Sequence, residues 1–357
     1  MTNNRYSRQT QLSQFGEKAQ EKLSNTKVLV VGAGGLGIPV LTYLNAMGVG
    51  TLGIIDNDVV SLTNLQRQVA YREADIGKSK VIVLSDVLKA QNSETTIAIY
   101  NELLTTANAL ELISLYDVVV DASDNFATRY LVNDACVLVN KPFVYGALHG
   151  FEGQVSAFNY NNGPTYRCLF PEVPKADSVP NCDENGVLGV LPGIIGNLQA
   201  LEVVKVITGV GEALSGKLLL FDGLTQNYRK ISFKKVMDNL KISQLKQHYG
   251  FECASSFSSI DTSSFKAILS KKSIQILDVR TVEEFNEFHF KNTIHIPLSD
   301  LENNLNELVL SKEIYVLCAS GKRSQQAILL LQKHYPNTNF INVLGGIQNV
   351  GSYVTEH

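Results

Sequence analysis

The stretch Lys27–Leu44, KVLVVGAGGLGIPVLTYL, decides the fold of the first half of this chain. It begins with a short apolar run typical of a buried strand, continues with a glycine cluster, and ends with an apolar pattern of helical spacing. Glycines between a strand and a helix let the backbone approach a phosphate, and the N–H groups of the helix start point at the anion. The stretch therefore predicts a phosphate-binding loop at Gly32, Gly34, Gly35 and Gly37.

The rest of the sequence predicts two α/β domains. Strand and helix patterns alternate up to about residue 150, which predicts a mostly parallel sheet covered by helices on both faces. The stretches GQVSAFNY and GKLLLFDGLTQNYRKISFKK predict an antiparallel extension of that sheet. A polar, Ser-rich stretch follows, and then a second, smaller α/β pattern. We predict a first domain over residues 1–235, a linker over 236–259 and a second domain over 260–357.

Composition and charge exclude several classes of function. The 357 residues are 45% hydrophobic and 18% charged, as in soluble globular proteins, and a net charge of −3 gives no electrostatic reason to bind nucleic acid. The N-terminus lacks an apolar signal core, and no run approaches the roughly 18 apolar residues of a membrane span, so we expect no membrane association and a cytoplasmic location. Five widely spaced cysteines favour free thiols over a disulfide framework.

The residues after the glycine loop indicate which nucleotide it holds. Asp56 ends the next strand pattern and is placed to bond ribose hydroxyls, which suits NAD and ATP equally well. Asn64 and Arg67 follow, then Lys80, and an acidic SDN stretch contributes Asp124. Two cations, an amide and a carboxylate suit a triphosphate with its Mg²⁺, whereas a dinucleotide has only a diphosphate bridge and needs no magnesium. The sequence therefore favours Mg-ATP.

The same stretches resemble a known family. RYSRQ, VGAGGLG, DNDVVSLTNLQRQ, GKSK, DASDNFATRY and GVLPGIIGNLQALEVVK are similar, in the same order, to the ubiquitin-activating-like adenylyltransferases of the HesA/MoeB/ThiF type. These enzymes activate sulfur carriers in molybdopterin and thiamine biosynthesis. The resemblance covers roughly residues 3–235 and implies a Rossmann-like α/β fold. It also implies adenylylation, at the C-terminal glycine, of a small ubiquitin-like sulfur carrier that ends in Gly-Gly.

The resemblance assigns roles to individual residues. Arg67 and Lys80 would stabilise charge on the phosphates, Asp124 would hold Mg²⁺ with Asn125 beside it, and Arg8 would reach into the active site of a partner subunit, which implies a homodimer. A single surface Arg or Lys usually has no specific role, but the set in this order favours the functional interpretation. The full set assigned to ATP comprises Gly32, Gly34, Gly35, Gly37, Asp56, Thr63, Asn64, Leu65, Gln66, Arg67, Lys80, Asp124 and Asn125.

The sequence departs from the family at a metal site. Many members carry two Cys-x-x-Cys pairs that bind a structural zinc, but here Thr165 occupies the first position of one pair, ahead of Cys168, and Cys253 has no cysteine near it. Tetrahedral zinc needs four good ligands, so we expect no zinc and a Cys168 that is simply a small, buried hydrophobic residue.

The second domain resembles the rhodanese domains. Cys318 follows an apolar strand and opens a helix in VLCASGKRS, which has the form C-x-x-G-x-R, so backbone N–H groups and nearby cations can stabilise a thiolate or persulfide. Two departures are Phe288, where such domains usually have Gly, and the absence of a common Trp. The resemblance implies a sulfurtransferase loaded by a donor such as a cysteine desulfurase, with a persulfide loop of Cys318, Ala319, Ser320, Gly321, Lys322 and Arg323.

Together the two domains predict one reaction sequence, in which a persulfide on Cys318 attacks the adenylated glycine and a second thiol releases a thiocarboxylate. Cys182 is a candidate for that thiol because it lies in a loop where related proteins carry a cysteine, but acidic neighbours would raise the pKa of a thiol there, so its role is left open. The alternatives are the thiamine carrier instead of the molybdopterin carrier, a protein-modifier activating enzyme with a thioester on Cys182, an NAD-dependent oxidoreductase, and a non-catalytic scaffold.

Overall fold

Two separate β-sheets organise the part of the chain that the structure describes. The structure is a computed structural model and describes residues 4–174, 186–247, 249, 258–269, 274–291, 293–305, 308, 313–319 and 321–347. The chain divides into two compact units, Met1–Glu252 and Cys253–His357.

The first unit alternates strands and helices up to its fifth strand. Its strands are β1 (Lys27–Val31), β2 (Thr51–Ile55), β3 (Thr96–Tyr100), β4 (Val118–Asp121), β5 (Phe143–His149), β6 (Glu152–Phe158), β7 (Lys217–Asp222) and β8 (Asn227–Ser232). Its helices are α1 (Ser7–Thr10), α2 (Gly16–Ser24), α3 (Gly37–Ala46), α4 (Lys80–Gln91), α5 (Ala109–Ser114), α6 (Phe126–Leu138), α7 (Tyr166–Leu169) and α8 (Val190–Thr208).

The eight strands form one sheet in the order β3-β2-β1-β4-β5-β6-β7-β8. Strands β1 to β5 pair in parallel, and β6, β7 and β8 continue the sheet in antiparallel pairs. The chain leaves β1 towards β2 on one side and later enters β4 on the other side. In open α/β sheets the crevice at the carboxyl ends of two such strands is the usual ligand site.

The two faces of this sheet bury separate apolar clusters. Along β1, Val28 and Val30 face one cluster, whereas Leu29 and Val31 face the other, because successive strand side chains point to opposite faces. Helices α3, α4 and α8 cover the first face, and α5 and α6 cover the second. The predicted sheet with helices on both faces and an antiparallel extension is therefore confirmed.

Helix α8 corrects one expectation. Among the described residues it is the one helix long and apolar enough to cross a membrane by length and composition, with a mean hydropathy of 1.5. The expectation that no run approaches this length is therefore wrong. In this protein 56% of the apolar window is buried, and the helix packs closely on α3: a Cβ on Gly196 would lie 2.5 Å from the Leu36 carbonyl oxygen. This is the setting of a core helix.

The second unit is a small α/β domain with a parallel sheet. Its strands are β9 (Ser258–Ile260), β10 (Gln275–Asp278), β11 (Thr293–His295), β12 (Ile314–Leu317) and β13 (Phe340–Val343), in the order β11-β10-β12-β13-β9. Its helices are α9 (Thr262–Leu269), α10 (Val282–Glu287) and α11 (Lys322–His334). The central strand β12 ends directly before Cys318 and the loop that leads to α11. The predicted second α/β domain is thus confirmed in its fold class.

Candidate functional site

The glycine loop turns sharply between β1 and α3, at the crevice between β1 and β4. Gly32 has a φ of +106°, and a Cβ there would lie 2.7 Å from the Ala122 carbonyl oxygen. A Cβ on Gly37 would lie 1.9 Å from the carbonyl oxygen of Gly32. Packing does not require glycine at Gly34, whose Cβ would meet only Gln68 Nε2 at 3.6 Å. Helix α3 begins without a side-chain cap, so its first N–H groups can bind an anion.

Asp56, which directly follows β2, is hydrogen-bonded to the glycine loop. Its Oδ2 accepts a hydrogen bond from the Ala33 N–H at 2.7 Å, and its Oδ1 accepts one from the Asp58 N–H at 2.8 Å. Burial raises the pKa of Asp56, although the nearby Lys80 charge and both N–H groups act in the opposite direction. Each carboxylate oxygen keeps a second lone pair. Asp56 can therefore hold the loop and accept hydrogen bonds from ribose hydroxyls together.

Lys80, the first residue of α4, is a buried cation beside this carboxylate. It is 4% exposed, and its Nζ lies 2.8 Å from Oδ2 of the exposed Asp58. The buried Tyr71 donates its O–H to the Ala33 carbonyl oxygen at 2.8 Å and lies 3.4 Å from the Lys80 carbonyl oxygen. Burial raises the pKa of Tyr71, which keeps the hydroxyl proton in place. Tyr71 therefore joins the glycine loop to the helix that carries the predicted catalytic lysine.

The segment Ser61–Gln68 brings Arg67 to the loop. Asn64 closes a short 3₁₀ turn, because its Oδ1 accepts a hydrogen bond from the Ser61 N–H at 3.2 Å. Arg67 Nη1 donates to the Thr63 carbonyl oxygen at 2.9 Å. A Cβ on Gly35 would lie 3.6 Å from Arg67 Cγ, so the arginine lies beside the glycine loop.

Two other predicted ATP residues in this segment have packing contacts. Leu65 packs on the apolar cluster of the first sheet face. The carbonyl oxygen of Gln66 would lie 2.1 Å from a Cβ on Gly189, just before α8. The buried Gln68 follows, and its Oε1 has no hydrogen-bond partner among the described residues. Leu65 and Gln66 therefore fix where the segment lies.

The acidic loop that begins at the end of β4, residues 121–125, lies at the carboxyl ends of the parallel strands, as the glycine loop does. Oδ1 of the buried Asp121 accepts hydrogen bonds from the N–H and O–H of Ser123 at 3.1 and 2.6 Å. Asp124 is exposed beyond it, and Asn125 caps α6 by accepting a hydrogen bond from the Thr128 N–H at 2.9 Å. Within the described ranges no group of three or more His, Cys, Asp or Glu side chains could hold a metal. One carboxylate is nevertheless enough for Mg²⁺ when phosphates and water supply the other ligands.

Arg8 lies apart from these residues on α1. Its side chain is exposed and has no hydrogen-bond or ion-pair partner in the described part of the chain. Its neighbours are fixed: Tyr6 donates its O–H to Glu94 Oε2 at 3.0 Å, and Gln9 Nε2 donates to the Met47 carbonyl oxygen at 3.0 Å. The structure therefore presents the Arg8 guanidinium on an anchored segment and does not bring it to the glycine loop of its own chain.

Cys168 differs from its predicted environment. It is half-buried, and its Sγ accepts hydrogen bonds from the N–H groups of Thr165 and Val236 at 3.4 and 3.3 Å. The expectation of a simply hydrophobic, buried cysteine is therefore wrong, because residues far apart in sequence direct N–H groups at the sulfur. Thr165 Oγ1 also lies 3.5 Å from this sulfur.

A buried ion pair next to Cys168 holds the chain that follows β8. Arg167 Nε donates to Asp134 Oδ1 at 2.6 Å, and both side chains are nearly buried. The Tyr249 O–H donates to Asp134 Oδ2 at 2.8 Å, and Asn239 Nδ2 donates to the Arg167 carbonyl oxygen at 2.8 Å. These contacts join the end of the first unit to α6 and α7.

In the second unit, Cys318 is fully buried under its loop. The Gly321 N–H donates to Cys318 Sγ at 3.1 Å, as the predicted persulfide loop requires, and Gly321 has a φ of +89°, which favours glycine. Arg323 does not bind the sulfur. Its guanidinium forms two bonds to Glu284, at 2.7 and 2.6 Å, and this pair lowers the pKa of Glu284 to about 2. Arg323 therefore orders the loop by pairing with α10.

Phe288 does not strain the domain. Its φ is −163°, an extended conformation that any residue adopts. Its carbonyl oxygen accepts a hydrogen bond from Arg280 Nη2 at 2.6 Å, and Arg280 is itself paired with the buried Asp278 at 2.7 Å. The usual Gly is thus not needed at this position.

Some predicted residues lie outside the described part of the chain, namely Cys182, Cys253, Ser320 and the side chain of Lys322. Two residues that contact the candidate site, Asp58 and Tyr71, are not among the predicted ones. Asp58 stands two residues after Asp56 in the DND stretch, a signal that could have been used. No sequence pattern indicates the role of Tyr71, because the carbonyl oxygens near its hydroxyl belong to the glycine loop and to α4.

Comparisons with known proteins cover both units. Residues 6–241 match the family described as "ThiF family", and residues 261–352 match "Rhodanese-like domain". The chain is 41% identical to "Adenylyltransferase and sulfurtransferase MOCS3" of Caenorhabditis briggsae, over 96% of this chain and 93% of that protein. It is 40% identical to the protein of the same name from Arabidopsis thaliana, over 92% of this chain and 79% of that protein. The crystal structure of E. coli MccB with ATP is 26% identical, with a TM-score of 0.58, and covers 66% of this chain and 72% of that chain.

Proposed function

The chain belongs to the ThiF family, and from this premise we propose that it adenylates the C-terminal glycine of a small ubiquitin-like sulfur carrier and then transfers sulfur to it. The predicted pairing of an adenylyltransferase with a rhodanese-type sulfurtransferase is confirmed by the match of both domains over most of the chain. One observation carries the detailed proposal. The same chain holds a glycine loop with cations beside it and a buried cysteine, Cys318, whose sulfur accepts a hydrogen bond from a backbone N–H.

In the first step, a carboxylate oxygen of the carrier's last glycine attacks the α-phosphorus of ATP, and the bond to pyrophosphate breaks. Lys80 and Arg67, next to the glycine loop, would stabilise the charge that develops on the phosphates. Asp56 would hold the ribose. Asp124 would hold Mg²⁺, which neutralises phosphate charge when bound. The protein mainly has to align the reactants, because a carboxylate is a weak nucleophile.

In the second step, the outer sulfur of a Cys318 persulfide attacks the glycine carbonyl carbon and AMP leaves. The resulting acyl disulfide is opened by a second thiolate that attacks Cys318 Sγ, and Cys182 remains the candidate for this thiolate. The carrier leaves as a thiocarboxylate, and the new disulfide is reduced by an external dithiol. The persulfide would be loaded by a donor such as a cysteine desulfurase, and the reaction would take place in the cytoplasm.

The shared name of the relatives favours the molybdenum cofactor pathway over the thiamine pathway. Mass spectrometry of the two carriers tests which of them the protein converts. The purified protein, ATP, Mg²⁺ and a persulfide donor are incubated with a molybdopterin-type carrier or a thiamine-type carrier, and each carrier is examined for the replacement of one oxygen by sulfur. We expect the thiocarboxylate on the molybdopterin-type carrier. Conversion of the thiamine-type carrier alone would contradict the assignment.

The exposed, anchored Arg8 supports a homodimer in which this side chain serves the partner's active site. We expect Arg8→Ala and Lys80→Ala to be inactive separately in ATP–pyrophosphate exchange. When the two variants are mixed and allowed to exchange subunits, one site in each mixed dimer regains both groups. Random exchange should restore about a quarter of wild-type activity. If the mixture stays inactive although mass spectrometry detects mixed dimers, Arg8 does not act across subunits.

The protein is also proposed to lack the structural zinc of its relatives. The residues present do not fit this metal, because Thr165 stands where one ligand would be, and the described residues hold no group of three or more His, Cys, Asp or Glu side chains that could bind it. We expect the protein purified in zinc-containing medium to carry far less than one zinc per chain by elemental analysis, and a strong chelator to leave its melting temperature unchanged. Stoichiometric zinc that resists dialysis would overturn this proposal.

A further inference from the structure

Three polar side chains are buried in a row beneath the persulfide loop. Cys318, Ser324 and Asn342 are each 0% exposed. Cys318 Sγ lies 3.4 Å from Ser324 Oγ, and Ser324 Oγ lies 2.6 Å from Asn342 Oδ1. Ser324 comes from the first turn of α11, and Asn342 comes from β13, the strand paired with β12. In the interior of the domain, Ser324 thus contacts the thiol, and Asn342 contacts Ser324.

The hydrogen-bond directions in this row suit a protonated thiol. Ser324 has a single hydroxyl proton, which it donates to Asn342 Oδ1, so it offers only a lone pair to the sulfur. A neutral S–H group can donate to that lone pair. Asn342 Nδ2 is buried and has no hydrogen-bond partner among the described residues. A buried amide N–H group without a partner is unfavourable, and Asn342 places one at the end of a row that leads to the reactive sulfur.

We propose that Asn342 and Ser324 form a hydrogen-bond relay that reverses when Cys318 loses its proton. A half-turn of the Asn342 amide exchanges its oxygen and nitrogen, which are nearly equal in size, so the turn needs no repacking. Nδ2 then donates to Ser324 Oγ, and the Ser324 proton becomes available to the sulfur anion. Ser324 is the catalytic residue of this relay, because it contacts the reacting sulfur, and Asn342 is a positioning residue that acts through it.

The reversed relay would stabilise the thiolate of Cys318, which is the form that accepts sulfur from a donor. With thiosulfate as a simple donor, the thiolate attacks the outer sulfur, an S–S bond forms at Sγ, and the bond to the sulfite group breaks with its electron pair. The products are the cysteine persulfide anion and sulfite, so charge and sulfur oxidation states balance. This inference rests on the proposed function only in assigning the sulfur-carrying role to Cys318.

The charged groups around the loop are mostly paired with each other. Arg323 is bonded to Glu284, and Arg280 is bonded to Asp278. Lys322 is also in the loop, but its side chain is outside the described residues. Among the described residues, the sulfur has hydrogen-bond contacts with the Gly321 N–H and with Ser324 Oγ, and of these two only the hydroxyl can reverse its direction when the thiol loses its proton.

The test measures the rate at which thiosulfate persulfidates Cys318 in the full-length protein, by peptide mass, as a function of pH. In Ser324→Ala we expect the pH of half-maximal rate to rise by about one unit, which slows the reaction about tenfold below that pH and leaves the alkaline plateau unchanged. Ser324→Thr keeps the hydroxyl and should restore the wild-type profile. Asn342→Leu should raise the midpoint less, and should have no further effect in a Ser324→Ala background.

Controls separate the relay from general damage. Ser85→Ala removes another buried hydroxyl, one without a hydrogen-bond partner among the described residues, and should leave the midpoint unchanged. The alkaline plateau of the persulfidation rate and the melting temperature show whether the second unit of each variant is folded. An unshifted midpoint in folded Ser324→Ala would overturn the relay. A thiocarboxylate that still forms in Cys318→Ala would instead refute the proposed sulfur step, whatever the midpoint.

Discussion

Lys80→Ala is expected to lower ATP–pyrophosphate exchange about 100- to 1,000-fold, the usual cost of removing one group that stabilises transition-state charge. Lys80 is the buried cation beside the glycine loop and Asp56, whereas its present partner, Asp58, is exposed. Its removal takes a compensating charge away from Asp56, but that carboxylate keeps its hydrogen bonds from two backbone N–H groups, so the fold should persist. Exchange of radiolabelled pyrophosphate into ATP, in the presence of a Gly-Gly-ended carrier, measures this step without the later sulfur chemistry.

The matched control is Lys78→Ala. Lys78 lies two residues earlier in the same GKSK stretch, but its side chain is 58% exposed and paired with Asp75 on the surface. Such surface pairs contribute little, so this variant should stay close to wild-type activity. An equal loss in both variants would mean that general charge near the site matters and that Lys80 has no specific role. Persulfidation of Cys318 should be unaffected by either change.

Cys318→Ala is expected to abolish thiocarboxylate formation and to leave ATP–pyrophosphate exchange near the wild-type rate. The two activities depend on different units of the chain, and the reactive sulfur has no substitute of similar environment among the described residues. Thiocarboxylate is measured by the mass of the carrier, and adenylylation by the exchange assay on the same preparation. Cys136→Ala is a suitable control, because Cys136 is also fully buried and burial raises its pKa, which makes it unreactive.

The same assay separates the proposed function from its main alternative. A protein-modifier activating enzyme would form a carrier thioester on Cys182, and Cys318→Ala would not prevent it. Thiocarboxylate that disappears in Cys318→Ala, without a thioester on Cys182, supports the sulfurtransferase. A stable thioester in wild-type protein that is lost in Cys182→Ala would favour the conjugation enzyme.

Local patterns were sufficient to predict the fold class. The glycine loop follows β1 as expected, and successive apolar runs became the parallel strands of one sheet. Helix α8 shows where the pattern was less informative, because it is apolar on nearly all sides. Periodicity cannot locate the ends of a helix that is buried by α3 on one side and by strands on another.

The sequence proposes residues for the candidate site, but it does not predict the contacts that these residues make. Asn125 was expected beside the metal residue, but its side-chain oxygen caps α6. Asp58, the partner of Lys80, is 22 residues away, and Val236, one of the two N–H donors to Cys168, is 68 residues away, so neither contact follows from local spacing. The relay depends on Asn342, which a sequence pattern shows only as one polar residue in an otherwise apolar strand.

The contact between Lys80 and Asp58 has a consequence for nucleotide binding. Since the ammonium already has an anionic partner, a phosphate that approaches Lys80 enters as a competitor, and binding is an exchange of one anion for another. The electrostatic gain is then the difference between two ion pairs and not the full energy of forming one. If Lys80 binds a phosphate as proposed, this arrangement would lower the affinity for any single phosphate group, and tight binding would need the other contacts to the triphosphate as well. The Asp58 carboxylate would then make the lysine selective for ligands that also engage the rest of the crevice.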